Sequence, residues 1–470
     1  MESKTNKDKR NGESICFRLI VKFYDHLCFP YHDAKEINEF FLHHDIISWQ
    51  QLLNIFQGIK INKLFTSLIP DQIIAWVDKA SKSDSTYKPP DFFSYYSISW
   101  TCEINTRELL RRLRKDKNVE LAYLQNGPLH PPSVRALHDD TMHTLNSYQE
   151  YLNPSPQGIN ARYAWGVHGG DGQGSVQFID IEQGWIEDHK SIFIKRLTTT
   201  GINCEKFKDH GSAVLGVIMM QDKEIGGQGI TPKAKGHIIS QWRPDGTLNT
   251  ADAIVAAIDH LRFGDILLLE AQVSDTTPAN RLWPVELEEA TYQAIRLATA
   301  LGITVIEAAG NGNLASTKGN NMDFFRLRGK EILNPESLDF RDSGAVIVAA
   351  ASSTSPHKRR KNSNYGKRIN CYGWGDNVVT AGSYPRSSGT ARNRYTMNFS
   401  GTSSAAAIIT GVAISVQCIM EAKQKRRLGP IEMRAILSND LYGTPSANGR
   451  LVNKIGVMPD LKKIIDNALK

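Results

Sequence analysis

The chain has 470 residues, of which 41% are hydrophobic and 22% are charged. This is an ordinary globular composition, with enough apolar material for a large core and a length typical of two or three domains. The formal net charge of +7 is modest for this length and, without a patterned basic surface, does not indicate a nucleic-acid partner. No apolar run approaches the length of a membrane span, so we expect no membrane partner.

The first part of the chain predicts a small α+β domain. Residues 1–14 are polar and charged and predict a disordered tail, and the domain itself covers residues 15–126. Its predicted strands are residues 16–23, 92–100 and 119–124, and its predicted helices are residues 34–57, 70–81 and 106–116. Residues 127–150 begin with a stretch rich in glycine and proline, which predicts a linker.

From residue 151 to residue 470, apolar strands alternate with helices. The predicted strands are residues 175–180, 235–240, 266–269, 304–309 and 345–350, and helices are predicted over residues 210–220, 251–262, 290–301 and the uncharged run after residue 401. This alternation indicates an α/β fold, a largely parallel sheet covered by helices on both faces. In such sheets, functional residues gather at the carboxyl ends of the strands.

The cysteines and the N-terminus bear on the compartment. The six cysteines are scattered, without a Cys-x-x-Cys pair or a metal-ligand spacing, and we interpret them as free thiols. The apolar run at residues 15–24 is interrupted by Arg18 and Lys22 and has no small-residue cleavage site, so no signal peptide is evident. Both features favour the cytoplasm over secretion, while the localisation stays open.

Four polar residues fall at strand ends or helix starts of the predicted sheet. Asp180 ends a strand, His210 opens an apolar helix, and Asn311 follows another strand. Ser403 opens an uncharged helix, whose unpaired N–H groups and positive dipole end suit a developing oxyanion. The order Asp, His, Ser is one of the known chain orders of a hydrolytic triad.

Each of these residues also has a structural interpretation when it is taken alone. Asp180 could cap a helix, His210 could be a satisfied half-buried histidine, and Asn311 could be the turn residue of a Gly-Asn-Gly sequence. The uncharged helix could be a core helix with hydroxyl N-capping, and Ser400 and Ser404 are neighbouring candidates for a nucleophile.

Four motifs in order, with a fifth between them, make the chain resemble the subtilisin-like serine peptidases of the S8 family. They are Phe-Ile-Asp at 178–180, Asp-His-Gly-Ser at 209–212, Gly-Ile-Thr-Pro-Lys-Ala at 229–234, Ala-Ala-Gly-Asn-Gly at 308–312 and Ser-Gly-Thr-Ser-Ser-Ala at 400–405. The resemblance covers about residues 155–420. It implies a three-layer α/β/α fold with a mostly parallel sheet, preceded by a small α+β propeptide-like domain.

The resemblance implies a serine endopeptidase that hydrolyses peptide bonds in protein or peptide substrates. Ser403 is then the nucleophile, His210 the general base and acid, and Asp180 the residue that orients the imidazole. The Asn311 amide joins the Ser403 N–H in stabilising the oxyanion. The alternatives are a catalytically silent pseudo-peptidase that acts as a binding module, and a regulated intracellular protease with a sensing N-terminal domain.

The resemblance also predicts where substrate binds. The expected substrate-binding residues are Glu270, Ala271, Gln272, Ala309 and Gly310. Glu270 stands where the family has a small residue, and Glu307 lies in the next predicted strand. These two carboxylates could favour a basic side chain before the scissile bond, or could form a structural pair that shares a proton or bonds to the backbone.

The N-terminal domain resembles the propeptide that many subtilisin-like enzymes carry. We expect residues 15–126 to act as an intramolecular inhibitor that docks on the helical face of the peptidase domain. A C-terminal segment of this domain would lie in the cleft, with cleavage between residues 125 and 150. We expect no cofactor and assign no metal ligands. Structural calcium sites are common in the family and stay open for this chain, where no loop has a ligand spacing that supports one.

Overall fold

A four-stranded antiparallel sheet organises the N-terminal part of the chain, and a nine-stranded sheet organises the rest. The structure is a computed structural model that describes residues 18–28, 31, 34–43, 49–125, 127, 129, 145–196, 201–224, 226–275, 280–313, 316–382 and 391–469. The tail predicted at residues 1–14 and most of the linker predicted at 127–150 lie outside these residues.

The N-terminal module contains four strands and four helices among its described residues. In chain order they are β1 Arg18–Phe23, α1 Ala34–His43, α2 Trp49–Ile55, β2 Ile59–Lys63, α3 Pro70–Ser83, β3 Tyr95–Trp100, α4 Thr106–Leu113 and β4 Val119–Gln125. The strand order is β2-β3-β1-β4. The sequence prediction missed β2, which is short and alternates buried Ile59 and Ile61 with a polar residue. The single helix predicted over residues 34–57 is two helices.

The remaining elements form the larger part of the structure, called the body below. In chain order they are α5 Ala161–Ala164, β5 Gln177–Glu182, β6 Lys195–Arg196, α6 Lys208–Met219, β7 Lys235–Ser240, α7 Thr250–Ile258, β8 Ile266–Leu269, β9 Gln272–Ser274, β10 Arg281–Pro284, α8 Glu289–Ala300, β11 Thr304–Ala308, β12 Gly312–Asn313, β13 Val346–Ala351, β14 Cys371–Trp374, β15 Val378–Ala381, β16 Tyr395–Phe399, α9 Thr402–Gln424, α10 Pro430–Leu437, β17 Gly443–Pro445, α11 Gly449–Asn453, β18 Val457–Pro459 and α12 Leu461–Asn467.

The large sheet of the body is almost entirely parallel. Its order is β17-β18-β14-β13-β11-β8-β5-β7-β6, and every neighbouring pair except β17 and β18 is parallel. Helix α7 packs on α8, and α6 packs on α9, so the helices form two separate pairs around the sheet. The predicted α/β fold with a preceding α+β domain is therefore confirmed.

Strand β5 continues two residues beyond its predicted end. Its parallel pairing with β7 runs from Gln177 to Glu182, where Glu182 lies opposite Ser240. Because side chains alternate along a strand, Asp180 and Glu182 project to the same face. Glu182, and not Asp180, therefore stands at the carboxyl end of the strand.

Helix α9 passes through the core of the body. Its residues from Thr402 to Met420 are all buried. Ala405 lies so close to β14 that a Cβ atom added to Gly373 would approach the Ala405 carbonyl oxygen to 2.8 Å, which explains the small residues at this crossing. Among the described residues, α9 alone has the length and hydropathy of a membrane span, contrary to the sequence expectation, and its whole apolar window is buried in the protein.

The N-terminal module docks on helices α7 and α8 of the body. The Asp252 carboxylate near the start of α7 accepts hydrogen bonds from the Ser67 hydroxyl at 2.5 Å and the Ser67 N–H at 3.0 Å. Arg243 bonds both to Asp252 at 3.0 Å and to the Ser67 hydroxyl at 2.6 Å. On α8, Arg296 pairs with Asp84 of the module at 3.0 Å. The module therefore binds a buried ion pair of the body through Ser67, and its helix α3 packs on α8.

Candidate active site

His210 lies near the start of α6 and is held by Glu182 at the end of β5. Glu182 Oε2 is 2.5 Å from His210 Nδ1, and the two side chains are only 1% and 4% exposed. The ring of Phe399 packs edge-on against the imidazole, with a centroid separation of 5.4 Å. His210 Nε2 has no hydrogen-bond partner among the described residues. The imidazole is thus oriented through one nitrogen while the other is unengaged.

Asp180, the residue predicted to orient His210, is not hydrogen-bonded to the ring: Glu182 is bonded to Nδ1, and Nε2 has no hydrogen-bond partner among the described residues. Asp180 instead accepts a hydrogen bond from Trp185 Nε1 at 2.8 Å. Burial, and then the nearby Glu182 charge, raise the pKa of Asp180 well above its usual range. Gly211 makes room for this contact, since a Cβ atom there would lie 2.7 Å from the Trp185 ring. The order of residues in the sequence does not show which of two acids on the same face of a strand contacts the histidine.

Ser403 lies one residue inside the N-terminus of α9. Gly401 precedes the helix with φ of +91°, a left-handed conformation that favours glycine. Ser403 is 7% exposed and lines the same cleft as His210. Ser404 is fully buried, and its hydroxyl bonds to two backbone carbonyl oxygens at 2.9 and 3.0 Å, so it does not face the cleft. Of these two serines, Ser403 is therefore the one that lines the cleft.

The side-chain amide of Asn311 is held from both ends. Its oxygen accepts a hydrogen bond from the Thr402 N–H at 3.0 Å. Its nitrogen donates to Gln272 Oε1 at 3.3 Å, and the Asn311 backbone N–H donates to the same oxygen at 3.1 Å. An amide nitrogen carries two N–H groups, so one remains for an oxyanion. Gln272 thus orients Asn311, a role that its sequence position alone did not indicate.

Three of the five positions where substrate is predicted to bind, Glu270, Ala271 and Gln272, line the cleft. The other two predicted positions lie elsewhere. Ala309 is fully buried, and its carbonyl oxygen accepts a hydrogen bond from Asn364 at 2.7 Å. The Gly310 carbonyl accepts the Asn364 N–H at 3.2 Å. The strand carries its cleft-facing side chain at Ala308 instead.

Glu270 and Glu307, for which the sequence left open a shared specificity role or a structural pair, lie on different faces of the sheet. In the parallel pairing of β8 and β11, Glu307 lies opposite Leu269, the residue before Glu270. Because alternate residues face opposite sides of a sheet, the two carboxylates project to different faces. Glu307 accepts the Glu286 N–H at 2.8 Å, and burial followed by the Glu286 charge raise the pKa of Glu307 well above its usual range. Glu307 therefore belongs to a buried structural network.

The end of the N-terminal module lies in the cleft. Gln125, Gly127 and Leu129 line it together with residues of the body. The Leu129 carbonyl oxygen accepts a hydrogen bond from the side-chain amide of Gln183, next to Glu182, at 3.3 Å. Residues from the end of the module and just after it thus form part of the lining of the cleft.

Comparison with known proteins identifies the family. The model described as the subtilase family, Peptidase_S8, matches residues 186–457, which is more than half of the chain. The chain belongs to the subtilase family. The matched region includes His210, Asn311 and Ser403, and begins just after the strand that carries Glu182. No curated protein matches the sequence.

Solved structures resemble this subtilase at low sequence identity. Fervidolysin from Fervidobacterium pennivorans, a keratinolytic enzyme related to subtilisin, has a TM-score of 0.52 and 14% identity, covering 98% of this chain and 62% of that one. A protease from Pseudoalteromonas arctica has a TM-score of 0.47 and 18% identity, with 70% and 100% coverage. The prenylagaramide maturation protease PagA has a TM-score of 0.44 and 19% identity, with 65% and 97% coverage. The fervidolysin match confirms the predicted subtilisin-like fold, and this chain spans 62% of fervidolysin's length.

Proposed function

We propose that this subtilase is a serine endopeptidase whose catalytic residues are Ser403, His210 and Glu182. The observation that carries the proposal is the buried Glu182–His210 pair, which lines one cleft with a serine at a helix N-terminus. A carboxylate on Nδ1 fixes the tautomer in which Nε2 accepts a proton, and it stabilises the imidazolium that forms. Glutamate here takes the role expected for aspartate.

The reaction follows from these positions. Ser403 Oγ attacks the scissile carbonyl carbon while His210 Nε2 takes the hydroxyl proton. The charge on the carbonyl oxygen meets the Ser403 N–H and the second amide N–H of Asn311. His210 then gives its proton to the leaving amine, and water hydrolyses the acyl-enzyme by the same steps. His210 Nε2 has no hydrogen-bond partner among the described residues, and a hydrogen bond from the Ser403 hydroxyl to it is expected to form when substrate binds.

Fluorophosphonate labelling tests the nucleophile. The wild type should be labelled and should hydrolyse peptides, whereas Ser403→Ala should do neither. Ser404→Ala is the matched control, since this neighbouring hydroxyl is buried and bonded to the backbone. Labelling that survives in Ser403→Ala would identify another nucleophile, and an unlabelled wild type would favour a binding module without catalysis.

We also propose that the N-terminal module inhibits the body, so that the chain is made as a self-inhibited precursor. Two contacts support this role. The module is anchored through Ser67 on Asp252, and Gly127 and Leu129, which follow β4, line the cleft that also contains His210 and Ser403. A substrate would have to compete with these residues for the cleft.

N-terminal sequencing tests the precursor. Purified wild type should begin between residues 125 and 150, and Ser403→Ala should keep its original N-terminus. If the active wild type also keeps its original N-terminus, the module is not removed by self-cleavage. A second measurement is the rate of labelling before and after processing, which should increase.

A further inference from the structure

One buried carboxyl group in the cleft has no part in the proposed triad. Glu270 is 6% exposed, and neither of its carboxyl oxygens is in a well-aligned hydrogen bond with any described residue. The Ser403 hydroxyl interacts with this carboxyl group and favours its charged form. A buried polar group without full hydrogen bonding is destabilising, and such groups in native proteins call for an explanation. A purely structural role is disfavoured because this polar contact of the carboxyl group is with the proposed nucleophile.

The position of Glu270 is fixed by its backbone. Its N–H donates to the Ile181 carbonyl oxygen at 3.1 Å, and its carbonyl oxygen accepts from the Gln241 amide at 3.2 Å. Its carboxyl group, the Glu182 carboxylate and the His210 ring each offer one atom within 4.8 Å of the others. The carboxyl group is therefore held close to the reacting atoms.

The charged groups around Glu270 are mostly acidic. Asp180 and Glu182 face it from β5 and His210 faces it from α6, while Glu288 also lines the cleft. The described cleft-lining residues include no lysine or arginine. Burial first, then the charges of Glu182 and Asp180, raise the pKa of Glu270 well above its usual range, and the nearby Ser403 hydroxyl offsets only part of this rise.

These surroundings favour the acid form, in which the carboxyl group is a hydrogen-bond donor. An ionised Glu270 would add a negative charge beside Glu182 with no fixed cation to balance it. A neutral carboxylic acid in an apolar site is an effective donor to an oxyanion. The site has room for another donor, because Gln272 engages one of the two amide N–H groups of Asn311.

We propose that Glu270 is a further catalytic residue, a protonated carboxyl group that donates a hydrogen bond to the substrate carbonyl oxygen as that oxygen gains negative charge. The proposal rests on the function proposed above. Glu270 keeps its proton throughout, so the proton transfers between Ser403, His210 and the substrate are unchanged. It acts beside Asn311 and the Ser403 N–H, and it is active only while protonated.

The test compares Glu270→Leu, Glu270→Gln and the wild type over a range of pH, using a neutral peptide substrate. Glu270→Leu should lower kcat by about 10²-fold with little change in KM, as the loss of one oxyanion donor does. Glu270→Gln should lower kcat by about tenfold, because an amide N–H still donates. The kcat of the wild type should fall at alkaline pH as Glu270 ionises, and this alkaline limb of the pH profile should be absent in Glu270→Gln. Glu307→Gln, a buried acid outside the cleft, should keep the limb.

Three results would overturn the donor role. If the wild type is labelled normally and the alkaline fall in kcat persists in Glu270→Gln, the donor role is refuted and the proposed function stands. Loss confined to substrates with Arg or Lys before the scissile bond would show that Glu270 is an ionised specificity residue instead. A wild type that does not react with the fluorophosphonate would overturn the proposed function, and the donor role with it.

Discussion

Exchanging single acids on β5 separates the two candidates for the residue that orients His210. Glu182→Gln replaces the carboxylate on Nδ1 with an amide, which can donate its N–H to that nitrogen. The proton then moves to Nε2, the nitrogen that must accept the Ser403 proton. Asp180→Asn changes an acid whose raised pKa already favours the neutral form, and the amide oxygen can still accept from Trp185.

The expected magnitudes differ by several orders. Replacing the orienting carboxylate of a hydrolytic triad with its amide lowers kcat by about 10⁴, or about 5.4 kcal/mol of transition-state stabilisation. Glu182→Gln should lose about this much. Asp180→Asn exchanges two neutral groups of similar shape and should change kcat by about threefold or less. The two variants should therefore differ in kcat by about 10³ or more.

The assay is steady-state hydrolysis of one peptide at pH 8, with fluorophosphonate labelling as a second readout. Urea unfolding of each variant shows whether the fold is intact, so that a loss of activity is not a loss of structure. Equal losses in Asp180→Asn and Glu182→Gln would refute the assignment. So would nearly full activity in Glu182→Gln.

Three further predictions follow from the site and the docking surface. With Glu270 present, the native state keeps a proton that the unfolded state releases above about pH 4.3, so the free energy of unfolding should fall by about 1.4 kcal/mol per pH unit up to the raised native pKa. In the Ser403→Ala chain, the further change Glu270→Gln should make this fall smaller. Urea unfolding at pH 5, 7 and 8 measures this, and parallel slopes would contradict it. Gln272→Ala should lower kcat about tenfold at unchanged KM by releasing the oxyanion donor, whereas a rise in kcat would mean that Gln272 blocks the site. Ser67→Ala should speed labelling of the full chain about tenfold, because a charge-assisted hydrogen bond contributes about 1.5–3 kcal/mol; the exposed Ser81→Ala is the control, and equal rates in the two variants would argue against the anchor.

The sequence predicted the body of the fold well because its signals are local. Strands at residues 235–240 and 266–269 are short apolar runs, and the structure has them with the same bounds. The opening of α9 was recognisable from a glycine turn followed by hydroxyl and then small residues. The antiparallel edge of β9, β10 and β12 was not predicted, because its strands have two to four residues and depend on pairing across the chain.

The acid of the site could not be chosen from sequence. Asp180 and Glu182 share one face of β5, and the one that meets His210 depends on how far the strand extends and on where α6 begins. The extension is fixed by pairing with β7 as far as Ser240, a long-range contact. Asp180 was favoured by resemblance to a motif, while the three-dimensional contact belongs to Glu182. The roles of Gln272 and Glu270 likewise depend on contacts between separate strands and loops.

The burial of α9 has a consequence for hydrogen exchange and inactivation. Its first residues include Ser403, and the helix is buried from Thr402 to Met420 between the sheet and α6. Amide protons in the hydrogen-bonded interior of such an element exchange with solvent mainly when the whole domain opens. The first turn, which carries Ser403, has no intrahelical partners for its N–H groups, but the rest of the helix that positions the nucleophile belongs to the slowest-exchanging part of the body. Heat should abolish activity in the same transition that unfolds the body. A loss of activity at a lower temperature would show that the contacts around Glu270 or the oxyanion donor loosen first.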